Sequence, residues 1–214
     1  PPTRTPTRAG SAPGPGPGDA RGGCVFMAGA LMQWLRGDLG SIDGGAEPSA
    51  IARGVDGAGG VYVVPAFTGL GAPYWDAEAR GAIYGLTRGT GRAHIVRASL
   101  ESLAYQVRDL VVAMEADAGV PLSVLNVDGG ASANDFLMQF QSDILRTPLR
   151  RPQNAETTAP GAAFLPGLAT GFWKAAASLR ALRSSDAVYE PGMEDKRHAA
   201  LLEGWARAVA RTMS

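Results

Sequence analysis

The chain has 214 residues, enough for one large domain or two small ones at roughly 100 to 200 residues each, and enough to bury a real core. Its 20 Lys+Arg balance 20 Asp+Glu, so no overall charge marks it for nucleic acid or an anionic membrane surface, and its apolar residues never gather into a run of about 18 that would span a bilayer. A single cysteine, Cys24, can form neither an internal disulfide nor a Cys-rich zinc site, which makes the cytoplasm the expected location.

Residues 1–23 hold Pro1, Pro2, Pro6, Pro13, Pro15 and Pro17 and nothing more apolar than alanine, so this stretch is predicted to be a disordered Pro/Gly-rich segment. It lacks the apolar core of a signal peptide and the amphipathic arginine stripe of a transit peptide. The chain opens on Pro1-Pro2 without an initiator methionine, and a truncation or frameshift junction is the expected explanation. A folded domain is expected from residue 24 to 214. Arginine dominates its basic residues, with Lys174 and Lys196 the only lysines, but the arginines are spread singly and build no patch.

Cys24 to Phe26 reads as a short strand and Ala28 to Arg36 as a helix with Leu31, Trp34 and Leu35 on its apolar face. A weak helix is expected near Pro48 to Gly54, and Val61 to Val64 is a strand stopped by Pro65. A loop rich in glycine and aromatics, Phe67 to Arg80, leads to a strand at Ala82 to Leu86. The longest helix is predicted over Ala93 to Ala118, where Val96, Leu100, Leu103, Val107, Leu110, Val111 and Met114 recur at three- and four-residue steps. Arg97, Glu101, Arg108 and Glu115 fall off that stripe, and Gly119 suits a C-terminal cap. Then come a strand at Val124 to Val127, a turn at Gly129-Gly130, a helix from Phe136 to Leu145 and a strand near Leu149 to Arg151. Helices are expected over Gly161 to Trp173, Ala175 to Leu182 and Arg197 to Met213, the last with Leu201, Leu202, Trp205 and Val209 inward. Strands alternating with helices argue an α/β domain.

The chain has no G-x-x-x-x-G-K-[ST] loop and no G-x-S-x-G elbow, and neither His94 nor His198 has a partner at metal-ligand spacing. His94 at a helix start reads as a cap, and Cys24 in an apolar run reads as a small buried hydrophobe. Three stretches can carry chemistry. In Asp128-Gly129-Gly130-Ala131-Ser132-Ala133-Asn134-Asp135 the glycines let a flat or anionic ligand approach the main chain, and the following helix offers its N-terminal N–H groups. An ordinary strand–turn–helix joint, with Ser132 or Asn134 as the cap, explains the same residues equally well. In the first helix Gly29 permits close approach, and Gln33 four residues on shares its face; core packing is the alternative. The Phe67 to Arg80 loop is either a shaped loop beside a cleft or, at Asp76, Glu78 and Arg80, a solvated rim.

From Cys24 onward the sequence resembles the C-terminal half of the FGGY carbohydrate kinases, and their glycerol-phosphorylating members in particular. The resemblance rests on Val61 through Asp76, on Gly81-Ala82-Ile83-Tyr84-Gly85-Leu86 with His94-Ile95 and Ala98-Ser99-Leu100-Glu101, and on Asp128-Gly129-Gly130 followed by Asn134. It implies an actin-like, ribonuclease H-like ATPase domain in which Gly29, Gln33, Gly130 and Asn134 contact ATP or ADP. It also implies transfer of the ATP γ-phosphoryl group to glycerol in a complete enzyme that uses Mg²⁺, held mainly by an N-terminal half. That half would supply the catalytic Asp, so this chain is assigned no catalytic or metal-binding residue and negligible kinase activity by itself. The alternatives are another FGGY sugar or polyol kinase, or a non-catalytic nucleotide-binding fragment. Neither nucleic acid nor membrane is an expected partner, and a homo-oligomer is left open. Pro160 and Pro166 depart from the family's helix formers, and Pro166 is expected to kink its helix.

Overall fold

In the computed structural model, residues 7–10, 18–21, 27–152, 166, 170, 172 and 187–213 are described. Two short strands, β1 (Thr7–Gly10) and β2 (Gly18–Arg21), pair antiparallel within the segment whose composition predicts no order. Backbone pairing of this kind needs no apolar side chain, which is the quantity that composition weighs. The strand expected at Cys24 to Phe26 lies outside the described residues.

Helix α1 (Ala28–Gly37) buries Leu31 and Leu35, and Trp34 packs its ring 5.3 Å from that of Phe67. Helix α2 (Glu47–Arg53) starts on Glu47-Pro48, a favourable place for a proline whose missing N–H would be unsatisfied anyway. Strands β3 (Tyr62–Val64) and β4 (Ala82–Tyr84) then pair antiparallel, Val63 opposite Ile83.

Helix α3 (Arg92–Ala118) is the axis of the domain. At its start His94 turns Nδ1 back to accept the Gly91 N–H at 3.1 Å, the capping role expected of it. At its end Gly119 takes the left-handed conformation, φ 67°, and its N–H bonds the Glu115 carbonyl. The stripe residues Val96, Leu100, Leu103 and Leu110 are buried as predicted, but so are Arg97 and Glu101, which the periodicity places off the stripe. From Val96 to Tyr105 this helix is enclosed on every side, because α2 and helix α4 (Asp135–Leu145) cover the faces that an isolated amphipathic helix would leave to water. The enclosed guanidinium is satisfied: Arg97 donates to Glu101 Oε1 at 2.8 Å, to the Ala52 carbonyl at 2.9 Å and to the Val55 carbonyl, and it lies 5.0 Å from the Phe136 ring centre. Burial nevertheless pushes the Glu101 carboxyl above its ordinary range, with Arg97 working against that shift.

Strand β5 (Leu125–Asn126) pairs parallel with β6 (Leu149–Arg151), and α4 is the crossover between them. Strand β7 (Ala187–Tyr189), for which the sequence shows no strand pattern, adds antiparallel to β6 with Tyr189 opposite Leu149. The last helix, α5 (Asp195–Thr212), buries Trp205 and Val209, while Leu201 and Leu202 are half-buried at its edge. Tyr105 of α3 stacks on Trp205 at 5.1 Å and meets Phe140 of α4 edge-on at 5.6 Å, joining three helices in one aromatic cluster. The helices expected over 161–173 and 175–182 fall outside the described residues, except that the Thr170 N–H bonds the Pro166 carbonyl at 2.9 Å. No helix among the described residues is long and apolar enough to cross a membrane.

Candidate functional site

The β5–α4–β6 unit has a parallel crossover, and ligands of such units sit beyond the carboxyl ends of the strands. Here that end is the run after β5, where Gly129 adopts φ 80° and a single turn of 3-10 helix, Gly130–Ala133, leads into α4. Asn134 caps α4: its Oδ1 accepts the Leu137 N–H at 3.1 Å, which leaves its amide group for other partners. Asn134 therefore fills the capping role that the joint alone would require, and it also faces a cavity.

That cavity, about 340 Å³, lies between the turn, α1, α3 and the glycine-rich stretch before α2. All four residues singled out from the sequence, Gly29, Gln33, Gly130 and Asn134, line it together, although Gln33 and Asn134 are 101 positions apart (134 minus 33). Leu100, Leu103 and Leu137 give it an apolar floor, while Gln33, Arg36 and Asn134 are polar. An apolar slot with a few polar groups suits a flat heteroaromatic base. Arg36, Gly44 and Gly45 also line the cavity and were not singled out; Arg36 could have been, because it follows Gln33 by three residues on the face that carries Gly29.

The two glycines are informative. A Cβ placed on Gly29 or on Gly130 would meet no protein atom within 4 Å, and neither residue has a positive φ. Neither packing nor backbone conformation demands glycine at these positions, so what they keep free is the space itself. Helix α1 also has no side-chain cap at Met27, so its first N–H groups are not taken by a capping side chain.

A larger cleft of about 650 Å³ runs along Gly54 to Tyr62 beside Glu101 and Arg197. None of the four residues lines it. The smaller cavity is the candidate site because it unites the strand–turn–helix joint with the open glycines.

On the side of the turn held by the sheet, Arg151 Nη1 donates to the Ser132 carbonyl at 2.6 Å and to Asp135 Oδ1 at 2.8 Å, and the Tyr189 hydroxyl donates to the same Oδ1 at 2.6 Å. These bonds, Tyr189 first and then Arg151, hold the Asp135 carboxyl below its ordinary range. The Tyr189 phenol is pushed up to about 12, by burial and then by its bond to Asp135.

The Phe67 to Arg80 loop does not line the cavity. Tyr74 donates to Asp109 Oδ2 at 2.7 Å, the same oxygen that accepts Trp205 Nε1 at 2.6 Å, so the loop is tied to α3 and α5. Asp76 Oδ1 accepts the Glu78 and Ala79 N–H groups, both at 3.0 Å, and Glu78 and Arg80 form an exposed rim.

Residues 4–170 match the model of the FGGY family of carbohydrate kinases, C-terminal domain, a span that begins ahead of the boundary at residue 24 suggested by composition. The chain is 58% identical over 189 residues to a glycerol kinase of Symbiobacterium thermophilum and 56% identical over 191 residues to one of Dechloromonas aromatica, alignments covering 88% and 89% of it. Among solved structures it is similar to Plasmodium falciparum glycerol kinase with ADP, at a TM-score of 0.86 and 40% identity over 92% of this chain and 39% of that one. A xylulose kinase of Rhodospirillum rubrum is more distant, at a TM-score of 0.69 and 25% identity over 86% of this chain and 38% of that one. The chain spans 38% of the length of the two curated relatives.

Proposed function

The chain belongs to the FGGY family of carbohydrate kinases, and from that membership we propose that it is the nucleotide-binding wall of a glycerol kinase. The complete reaction would pass the γ-phosphoryl group of ATP to a glycerol hydroxyl, giving glycerol 3-phosphate and ADP. The observation that carries the reading is the cavity in which Gly29, Gln33, Gly130 and Asn134 converge around two open Cβ positions.

In this reading the adenosine part of the nucleotide lies over Leu100, Leu103 and Leu137, with the amides of Gln33 and Asn134 fixing its orientation. Gly130 lets it approach the turn, and Gly29 lets the phosphate side approach the first turn of α1, whose N–H groups and dipole favour an anion. Binding and orientation are the contributions of this wall, and in phosphoryl transfer positioning is a large part of catalysis. Mg²⁺, which the family implies, does not fit here: the lining holds no carboxylate, and no group of acidic or histidine side chains suited to a metal occurs among the described residues. No step is assigned to it. Glycerol is favoured over a pentulose because identity is 56–58% to glycerol kinases and 25% to the xylulose kinase.

Titrating the 214-residue chain with ADP in a calorimeter tests the reading. Saturable binding is expected, weakened about fivefold by Gln33→Ala through loss of one hydrogen bond. Glycerol-dependent ATP consumption by the chain alone is expected to be negligible; turnover near the rate of a complete glycerol kinase would overturn the assignment of this part to nucleotide binding only.

A further inference from the structure

The Gly130–Ala133 turn could be stiffened by its own bonds or held from outside, and its own bonds are few. Ser132 closes it locally, its N–H and its Oγ both bonding the Gly129 carbonyl, at 3.0 and 2.7 Å. Such contacts shape the turn without fixing where it sits against the sheet. That connection comes from Arg151, at the end of β6, which with one nitrogen bonds both the Ser132 carbonyl inside the turn and the Asp135 carboxylate just after it. Tyr189 of β7 bonds the same carboxylate oxygen, and the Arg151 guanidinium lies 5.4 Å from the Tyr189 ring centre. Strands β6 and β7 are in register here, Arg151 opposite Ala187 and Leu149 opposite Tyr189, so both side chains are set by the sheet and not by the loop.

We propose that Arg151, Asp135 and Tyr189 are positioning residues that clamp the Gly130–Asn134 turn to the sheet and thereby hold Gly130 and Asn134 in nucleotide-binding geometry. This rests on the reading of the cavity as a nucleotide site. The three side chains do not line the cavity and act on a ligand only through the turn. A charge-assisted pair with a planar guanidinium suits this task, since one arginine can serve a carbonyl and a carboxylate from a fixed direction whereas lysine offers a movable point charge. The Asp135 carboxyl, held below its ordinary range by these same bonds, stays ionised at neutral pH and further toward acid than a free aspartate would.

The test uses the 214-residue chain and ADP, with Arg151→Met, Arg151→Lys and Tyr189→Phe, read by calorimetry, thermal unfolding and amide hydrogen exchange. Arg151→Met is expected to weaken ADP binding about 10- to 100-fold, since it removes the bonds to both the Ser132 carbonyl and the Asp135 carboxylate, and Tyr189→Phe about fivefold, since it removes a single bond to that carboxylate. Arg151→Lys should fall between wild type and Arg151→Met. In the ADP-free chain, exchange at the amides of residues 130–134 should quicken in the variants while α3 and the aromatic cluster stay protected, a local signature that general destabilisation would not produce. Should Arg151→Met fail to fold, Tyr189→Phe carries the comparison. Wild-type binding with unchanged ADP affinity and turn exchange in the folded variants overturns the clamp but leaves the nucleotide site standing. No ADP binding by the wild type overturns the nucleotide site and the clamp's role with it.

Discussion

Gly69, Gly81 and Gly85 are required by the chain's own atoms, whereas Gly29 and Gly130, two of the four glycines that line the cavity, answer to nothing inside the domain. A Cβ on Gly69 would lie 2.7 Å from the Asp76 carbonyl oxygen, one on Gly81 would lie 2.9 Å from the Phe67 ring, and one on Gly85 would overlap the Gly60 carbonyl. Around Gly29 and Gly130 the same construction meets open space. Gly69, Gly81, Gly85 and Gly130 all belong to the motifs on which the family resemblance rests. One region uses glycine so that backbone can pack on backbone or, at Gly81, on a ring; the other leaves open space at the cavity. A substitution therefore separates them: it should damage folding in the first region and binding in the second.

The largest effect is expected at Gly85. Gly85→Ala introduces the overlap with Gly60 and forces an alanine to φ 81°, so urea denaturation should show a loss of about 3 kcal/mol, combining overpacking with left-handed strain. Unchanged stability would refute the packing requirement. Next comes the anchor that ties the loop to α3 and α5. Asp109→Ala leaves the Tyr74 hydroxyl and the Trp205 N–H without their shared acceptor, costing about 2 kcal/mol, and should raise exchange in the loop around Tyr74.

At the cavity the sign of the contrast reverses. Gly29→Ala should leave the unfolding midpoint unchanged or raise it, since alanine is the better helix former by up to about 1 kcal/mol, while ADP affinity falls about tenfold or more. A parallel loss of stability and affinity would erase the distinction between the two kinds of glycine.

The smallest effect concerns pH. Asp135 has a folded-state pKa below its unfolded value, so its stabilisation is fully present above the ordinary aspartate range near 3.9 and is lost as pH falls through the lowered folded value. Because its side chain is 54% exposed, solvent screening keeps the contribution small. The acid limb of the stability curve should flatten slightly in Asp135→Asn, and the neutral plateau should hardly move.

Much of this arrangement was legible without coordinates. The 3.6-residue repeat placed α3 to within a residue at its start, Gly119 marked its end, and β6 was predicted at Leu149 to Arg151 as observed. The four candidate residues Gly29, Gln33, Gly130 and Asn134 stand out from spacing and resemblance, and all four line one cavity. Arg97 and Glu101 were misplaced because periodicity describes one helix facing one core, and it cannot register that α2 and α4 enclose the opposite face. Strand β7 was missed because three residues, Ala187–Tyr189, show too little alternation to stand out. Its pairing is decided by the edge that β6 offers.

The sequence by itself determined α1 to α5, the caps of α3 at His94 and Gly119, the strand–turn–helix joint and the family, because these depend on residues within a few turns of one another or on contiguous motifs. Only the tertiary structure decided which glycines press on backbone and which stand open, that Arg97 and Glu101 are enclosed, and that Arg151 and Tyr189 reach one carboxylate from two strands. The bonds from Arg151 and Tyr189 to Asp135 span 16 and 54 residues, and that from Arg97 to the Ala52 carbonyl spans 45, and no local pattern of residue types encodes such a meeting.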